Sequence, residues 1–394
     1  MDVLTHSLVG LTAAKAGLGR FSPFATAVCI VAANSPDSDA VVGLFADRWT
    51  LLKHHRGITH SIIGVIALGV LIPLIFYLVE RVWARWRKRQ PRIRLRGFLL
   101  VSLIMAASHP LMDWTNNYGV RPLLPWDGRW FYGDLVFIVD PYIWLVVGGA
   151  AFLLTSNHRA KIAAWILLAA VVLLITFSPT AQRASAGISL WPIRLTWIVG
   201  LLVLIVMRWF KINERLGSKL ALAALGFVVV YWGGLAVAQH YAYQEAVANA
   251  NLIAQPANET VIKVAAMPTL GDPGRWLCVA ETDQAMYRYF VKLGQPFSLD
   301  EPTWPSNDPY RVPSKPALER FAKPAGPAET LVERASGDRR AQIFLDFARF
   351  PIAKPVDENC LSQTLVQFAD VRYTEPGARR GNFSLELPID CPAR

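Results

Sequence analysis

Long apolar segments constrain this chain more than any other feature. Residues 58–79, ITHSIIGVIALGVLIPLIFYLV, carry no Asp, Glu, Lys or Arg and are long enough to cross a bilayer, which takes roughly 17–25 residues as a helix. Comparable segments lie at about 97–112, 135–154, 161–178, 193–210 and 218–238. Residues 2–18 and 22–36 are shorter and read as a helical hairpin with Arg20 and Pro23 at its turn. Backbone polar groups must be satisfied internally in hydrocarbon, so spans of this kind are helices. The expected fold is therefore an α-helical polytopic membrane protein of about 7–8 membrane helices, the first two short. A soluble C-terminal domain follows.

Composition agrees with this division. The 394 residues are 53% hydrophobic and 18% charged, where a soluble domain carries about 25% charged residues. The apolar excess ends near residue 240. Three parts are expected: residues 1–160, further membrane helices over 161–240, and a soluble domain over 241–394. The tail contains Pro-rich EPTWPSNDPYRVPSKP and short alternating runs. In NFSLELPI, Phe383, Leu385, Leu387 and Ile389 share one face of a predicted strand, and IFLDFARF and TLVQFADVRYT also read as strands. A β-rich or α+β domain is expected.

The net charge of +11 raises the question of nucleic acid, but much of it is local. Residues 81–96, RVWARWRKRQPRIRLR, hold eight Lys or Arg and no acid. In a membrane protein such a run marks a cytoplasmic loop, with an anionic-lipid or nucleic-acid patch as the lesser readings. Nucleic acid is not an expected partner. With 81–96 inside, the basic loops 156–161 and 208–219 also fall inside. Loops 40–57, 113–134 and 179–192 and everything after about 240 fall outside. The expected setting is a bacterial inner membrane, crossed several times, with the C-terminal domain periplasmic or extracellular. MDVLTHSLVG carries an acid and a histidine where a signal peptide has its positive region, so the N-terminus is expected to be retained. None of the four cysteines forms a CxxC pair. Cys29 reads as a core residue. Cys278, Cys360 and Cys391 lie in the tail and allow one disulfide in an oxidising compartment.

Ionisable groups are costly in apolar helices, yet five of the seven histidines fall in the first third of the chain with aspartates beside them. They form four islands: THS with His6, NSPDSDA with Asp37 and Asp39, HHRGITHS with His54, His55 and His60, and SHPLMDWTN with His109 and Asp113. His109 and Asp113 are four apart and so share a helix face. Asp37 and Asp39 follow Pro36, where a helix should end. On the topology above, every island falls at the outer end of its helix, as do Asp134 and Asp140. Imidazole and carboxylate converging on one level suit a divalent ion such as zinc, iron or manganese. Each residue alone has a plainer reading. His6 can bond a backbone carbonyl, Asp37 or Asp39 can cap a helix, Asp140 can start one before Pro141, and His54, Asp47 and Asp127 can be solvated. Either of His54 and His55 can stand behind a ligand. Nothing ties His158 or His240 to chemistry.

The succession TH, PDSD, HHRGITHS and SHPLMDWTN resembles the membrane-bound metal-dependent hydrolase family, also described as YdjM-like, LexA-binding, inner-membrane-associated hydrolases. The resemblance covers about residues 1–160. It implies a metal-dependent hydrolase. The family is in turn distantly similar to zinc-dependent phospholipase C and the single-strand-specific zinc nucleases, which implies a helical zinc site and a phosphoester substrate. Carried over by motif, His6, Asp37, His60, His109 and Asp113 are the expected metal ligands, with Asp39 and His55 as further candidates. Asp39 is the expected proton acceptor, and Arg56 is expected to steady an anionic oxygen of the substrate. No GxSxG elbow is present, which agrees with a metal-activated water as attacker. Membrane lipids are the expected surroundings and a small molecule or lipid the expected substrate. LexA enters only through the family's name.

Three rivals follow from the same residues. A structural metal site with a periplasmic binding domain would need four ligands and a closed sphere. A transporter would need ligands along a path at mid-membrane, whereas these cluster at one end. Nucleic-acid association would run through residues 81–96.

Overall fold

A computed structural model describes residues 1–178, 189–297, 318–358, 362–378 and 381–391. The expected loop 179–192 lies mostly outside the described residues, as do EPTWPSNDPYRVPSKP and Cys360.

The chain forms two compact units. The first comprises residues 1–39, 56–237 and 268–273 and is helical. Helices α1 (Val3–Ala16) and α2 (Ala25–Asn34) make the expected hairpin. Asp2 caps α1 by accepting from the amide of Thr5 at 3.0 Å. Gly17, at φ 147°, ends α1 where a side chain would be strained. Gly10 faces α2 so closely that an added Cβ would stand 2.7 Å from the Cys29 carbonyl oxygen. Small residues let the two helices meet in this way.

Among the described residues, five helices are long and apolar enough to cross a membrane: Ile62–Trp86, Leu95–Trp114, Arg159–Phe177, Trp191–Trp209 and Ser218–Ala257. Three further apolar helices, α1, α2 and Pro141–Thr155, have 14, 10 and 15 residues, short of the roughly 20 a span takes. Between α2 and Ile62 lie a 3-10 segment (Ser35–Leu44), helix α3 (Arg48–His54) and a 3-10 turn (Ile58–His60). We label Ile62–Trp86 α4, Leu95–Trp114 α5 and Pro141–Thr155 α6. α4 packs on α5, α5 on α2, and α1 on α6. Their core includes Val28, Cys29, Ala32, Phe98, Val101, Met105 and Val147.

The second unit comprises residues 40–55, 238–267 and 274–394. It is α+β. Four strands pair in the order β1 (Val261–Thr269), β2 (Asp272–Thr282), β3 (Ala285–Lys292) and β4 (Leu318–Ala322). A second sheet pairs β5 (Pro351–Pro355), β6 (Gln363–Asp370) and β7 (Ser384–Asp390), all antiparallel. Ala242, Ala246 and Ala250, four apart on the long helix Ser218–Ala254, meet Trp276 and Tyr289 in the core of this unit. The Tyr289 hydroxyl donates to the Ala246 carbonyl at 2.6 Å.

NFSLELPI and TLVQFADVRYT contribute β7 and β6 as expected. IFLDFARF does not form a strand. Residues Arg339–Phe347 are a helix, capped by Asp338, whose carboxylate accepts from the Arg340 amide at 2.7 Å. Ala341, Phe344 and Phe347, three apart, are its buried side chains. Cys391 is disulfide-bonded, and Cys29 and Cys278 are free and buried.

Residues 40–55, read from the sequence as part of an outer loop, group with the tail: α3 packs against the helix Arg339–Phe347, and Arg48 donates to the Gly381 carbonyl at 3.1 Å.

Candidate metal centre

Four side chains from three segments converge. Asp37 comes from the 3-10 segment after α2, His60 from the turn before α4, and His109 and Asp113 from one face of α5. One potential ligand atom from each lies within 4.8 Å of all the others. His60 and His109 point Nε2 at Nε2 across 3.2 Å. Asp37 Oδ1 stands 3.5 Å from His60 Nε2 and 3.4 Å from His109 Nε2. Asp113 Oδ2 stands 3.4 Å and 3.6 Å from the same two nitrogens.

The far sides of the rings set their protonation. His109 Nδ1 lies 2.6 Å from the Ala33 carbonyl oxygen, which only accepts, so Nδ1 carries the proton and Nε2 presents a lone pair. His60 Nδ1 faces Asp39 Oδ2 at 3.3 Å. A carboxylate behind an imidazole fixes the tautomer and raises the basicity of the opposite nitrogen. Two lone pairs facing each other at 3.2 Å, flanked by two carboxylate oxygens, are repulsive unless a cation or a proton lies between them. Asp113 Oδ2 is buried and has no hydrogen-bond partner among the described residues, although the Arg56 guanidinium lies 2.9 Å from it. We read that contact as a charge pair without hydrogen-bond alignment. Two buried imidazole nitrogens with a carboxylate oxygen on either side are a donor set that fits a divalent ion.

His6 does not join the four but borders them. Its ring stacks on His109 with centroids 3.7 Å apart and planes 13° apart. Its Nε2 is 3.3 Å from Asp113 Oδ1, and its Nδ1 is buried without a hydrogen-bond partner among the described residues. The Met1 amino group also contacts Asp113 Oδ1. His55 is the residue that ends α3, groups with the tail unit, and is not one of the four. His54 is exposed, as expected.

Asp39 and Arg56 stand behind the four candidate ligands. Asp39 Oδ2 accepts from the Arg56 amide at 2.8 Å and from the Thr59 hydroxyl at 3.3 Å while facing His60. Arg56 is 4% exposed. Its Nη1 donates to Asn116 Oδ1 and to the Gly119 carbonyl, each at 3.0 Å, and the guanidinium lies over the Tyr118 ring. Arg56 thus braces Asp113 against the segment after α5. Asp140 caps α6, accepting from the amides of Tyr142 and Ile143, and Asp47 caps α3.

A family model described as YdjM inner membrane protein matches residues 1–185. The chain is 34% identical over 145 residues to the Inner membrane protein YbcI of Escherichia coli (strain K12), covering 36% of this chain and 77% of that protein. The chain belongs to the YdjM inner membrane protein family. It is also 29% identical over 175 residues to the Uncharacterized protein YfhP of Bacillus subtilis (strain 168), covering 42% of this chain and 46% of the length of YfhP. No solved structure matches. With its apolar helices, membership makes the chain a multi-pass inner membrane protein. All four convergent residues, with His6, Asp39 and Arg56, fall inside the YdjM match, and the tail falls outside it.

Sequence reading missed Asn116, which holds Arg56, and Gly64. An added Cβ at Gly64 would collide with the Ile58 carbonyl oxygen. The glycine in SIIGV, one helical turn after HRGITHS, is the signal that would have pointed to it.

Proposed function

We propose that this protein is a membrane-bound metal-dependent hydrolase whose site holds a divalent ion, zinc being the best match to two imidazoles and two carboxylates. The observation that carries the reading is the graded exposure of the four residues. His60, His109 and Asp113 are at most 1% exposed at the side chain, whereas Asp37 is 21% exposed. The donor set therefore has a dry wall and one open edge, as a catalytic site needs and a closed structural site does not.

A divalent ion held there would lower the pKa of a bound water to about 7 and polarise a substrate oxygen. The residues of this chain do the rest. Asp39 and the Ala33 carbonyl hold the two rings with Nε2 inward. Asp37, at the open edge, is the one donor of the four that water or substrate can reach. Asp39, enclosed by Arg56, Thr59 and His60, acts through His60 as a positioning residue. Arg56, with Nη1 spent on protein acceptors, positions Asp113. A phosphoester or lipid headgroup is the proposed substrate, resting on the resemblance noted above. The disulfide at Cys391 supports a tail in an oxidising compartment, periplasmic or extracellular.

One feature favours the alternative, a structural metal site supporting a membrane scaffold: four donors already satisfy a tetrahedral ion. A screen of metal-replete protein against phosphoesters, phospholipids and amides separates the two. Turnover by metal-replete protein, lost together with the metal in His60→Ala/His109→Ala, supports the enzyme. No turnover of any class by protein that holds its metal supports the scaffold.

A further inference from the structure

The basic run 81–96 takes no part in the metal centre, and its surroundings give it a specific character. It begins on the last turns of α4, a candidate span. Glu80, the adjacent acid in sequence, is buried, and its Oε1 accepts from Arg89 Nη1 at 2.7 Å and from the Arg92 amide at 3.2 Å. Of the eight cations in 81–96, only Arg89 is so engaged, and the other seven are exposed.

The turn is also ordered. The Arg89 amide donates to the Ala84 carbonyl at 2.9 Å, Ile93 is buried in the helical core, and the Arg94 amide donates to the Ser22 hydroxyl at 2.9 Å. A Cβ on Gly97 would stand 2.6 Å from the Phe21 carbonyl oxygen. The basic turn is thus seated on the turn between α1 and α2, which adds Arg20. The same surface exposes Trp83, Trp86, Phe21 and Phe24, with Trp86 at 74%. Arg87 and Arg89 lie over the Trp86 and Trp83 rings at 5.1 and 5.5 Å.

We propose that the turn 81–96, with the α1–α2 turn beneath it, is a binding surface for the headgroups of anionic phospholipids. Exposed indoles at a span's end sit at headgroup level, and juxtamembrane cations there meet phosphates at high local density. A nucleic-acid surface would share the charge and could stack bases on the indoles, but these side chains sit at the end of a candidate span, the level at which lipid headgroups lie. The surface is independent of the hydrolase reading.

The test uses the full chain in neutral detergent, titrated with phosphatidylglycerol or phosphatidylcholine and read by thermal unfolding. Phosphatidylglycerol should protect at lower concentration than phosphatidylcholine, and rising salt should weaken that protection. In Arg85→Gln/Arg87→Gln/Lys88→Gln/Arg92→Gln, half-saturation should rise at least about tenfold, whereas Lys354→Gln in the tail should leave it unchanged. Equal protection by the two lipids, or an unchanged half-saturation in the quadruple variant, overturns the proposal. So does an RNA or DNA oligonucleotide that protects where phosphatidylglycerol does not. Should the quadruple variant fail to fold, the headgroup and salt comparisons on the native chain decide.

Discussion

His60 stands between Asp39 and His109, with Nδ1 3.3 Å from Asp39 Oδ2 and Nε2 3.2 Å from His109 Nε2. One ring is thus oriented from behind by a carboxylate and presents its lone pair to a second imidazole. Asp39, two residues after Asp37, is thus placed to orient His60.

Asp39→Ala should loosen His60 without removing a donor. Metal affinity is expected to fall about 10–100-fold, the usual effect of losing the partner behind a ligating histidine. Asp39→Asn, whose amide oxygen can still accept, should fall less. Competition with a chromogenic chelator measures both, and an unchanged affinity in Asp39→Ala would remove Asp39 from the account.

Gly64→Ala places a methyl group where the Ile58 carbonyl already lies. The 3-10 turn that carries His60 must shift, so metal affinity should fall even though residue 64 touches no ligand. Overpacking of this kind costs about 1–3 kcal/mol, visible in thermal unfolding. A stable variant with native metal affinity would contradict the placement of the turn.

The disulfide at Cys391 has a compartmental consequence. In intact cells Cys391 should resist alkylation until reductant is added, and reduction should lower tail stability by about 2–4 kcal/mol. Ready alkylation without reductant would place the tail on the reducing side and undo the expected topology.

Acid should weaken the tail through Glu259. Burial alone would raise its carboxyl, but the Thr282 hydroxyl at 2.5 Å and the Arg320 guanidinium at 2.7 Å outweigh burial and hold it below the ordinary range. A depressed folded value contributes stability above the unfolded pKa, near 4.3, and loses it as pH falls through the folded value. Glu259→Gln should therefore be less stable than native at neutral pH, with the gap closing in acid. A gap that does not change with pH would rule this out.

The sequence shows the candidate metal centre more clearly than the tail, for a physical reason. His60, His109 and Asp113 stand out because ionisable groups in apolar segments need partners, and the i, i+4 spacing of His109 and Asp113 already places them on one face. The contacts of Asp39 with His60 and of Arg56 with Asp113 are not legible in the sequence, because they depend on how distant segments meet. The association of residues 40–55 with the tail is a long-range contact without local pattern. IFLDFARF was misread because Ile343, Leu345 and Phe347 alternate while Phe344 and Phe347 recur at helical spacing, and so short a run satisfies both. Asp338, capping the segment, was the cue that favoured the helix.

Elemental analysis of the purified full-length protein tests the central claim most directly. The native chain should carry about one equivalent of a divalent metal per donor set of this kind. His60→Ala/His109→Ala, kept folded in detergent, should carry none. A native chain without metal after metal-replete purification, or a double variant that retains its metal, would contradict the account.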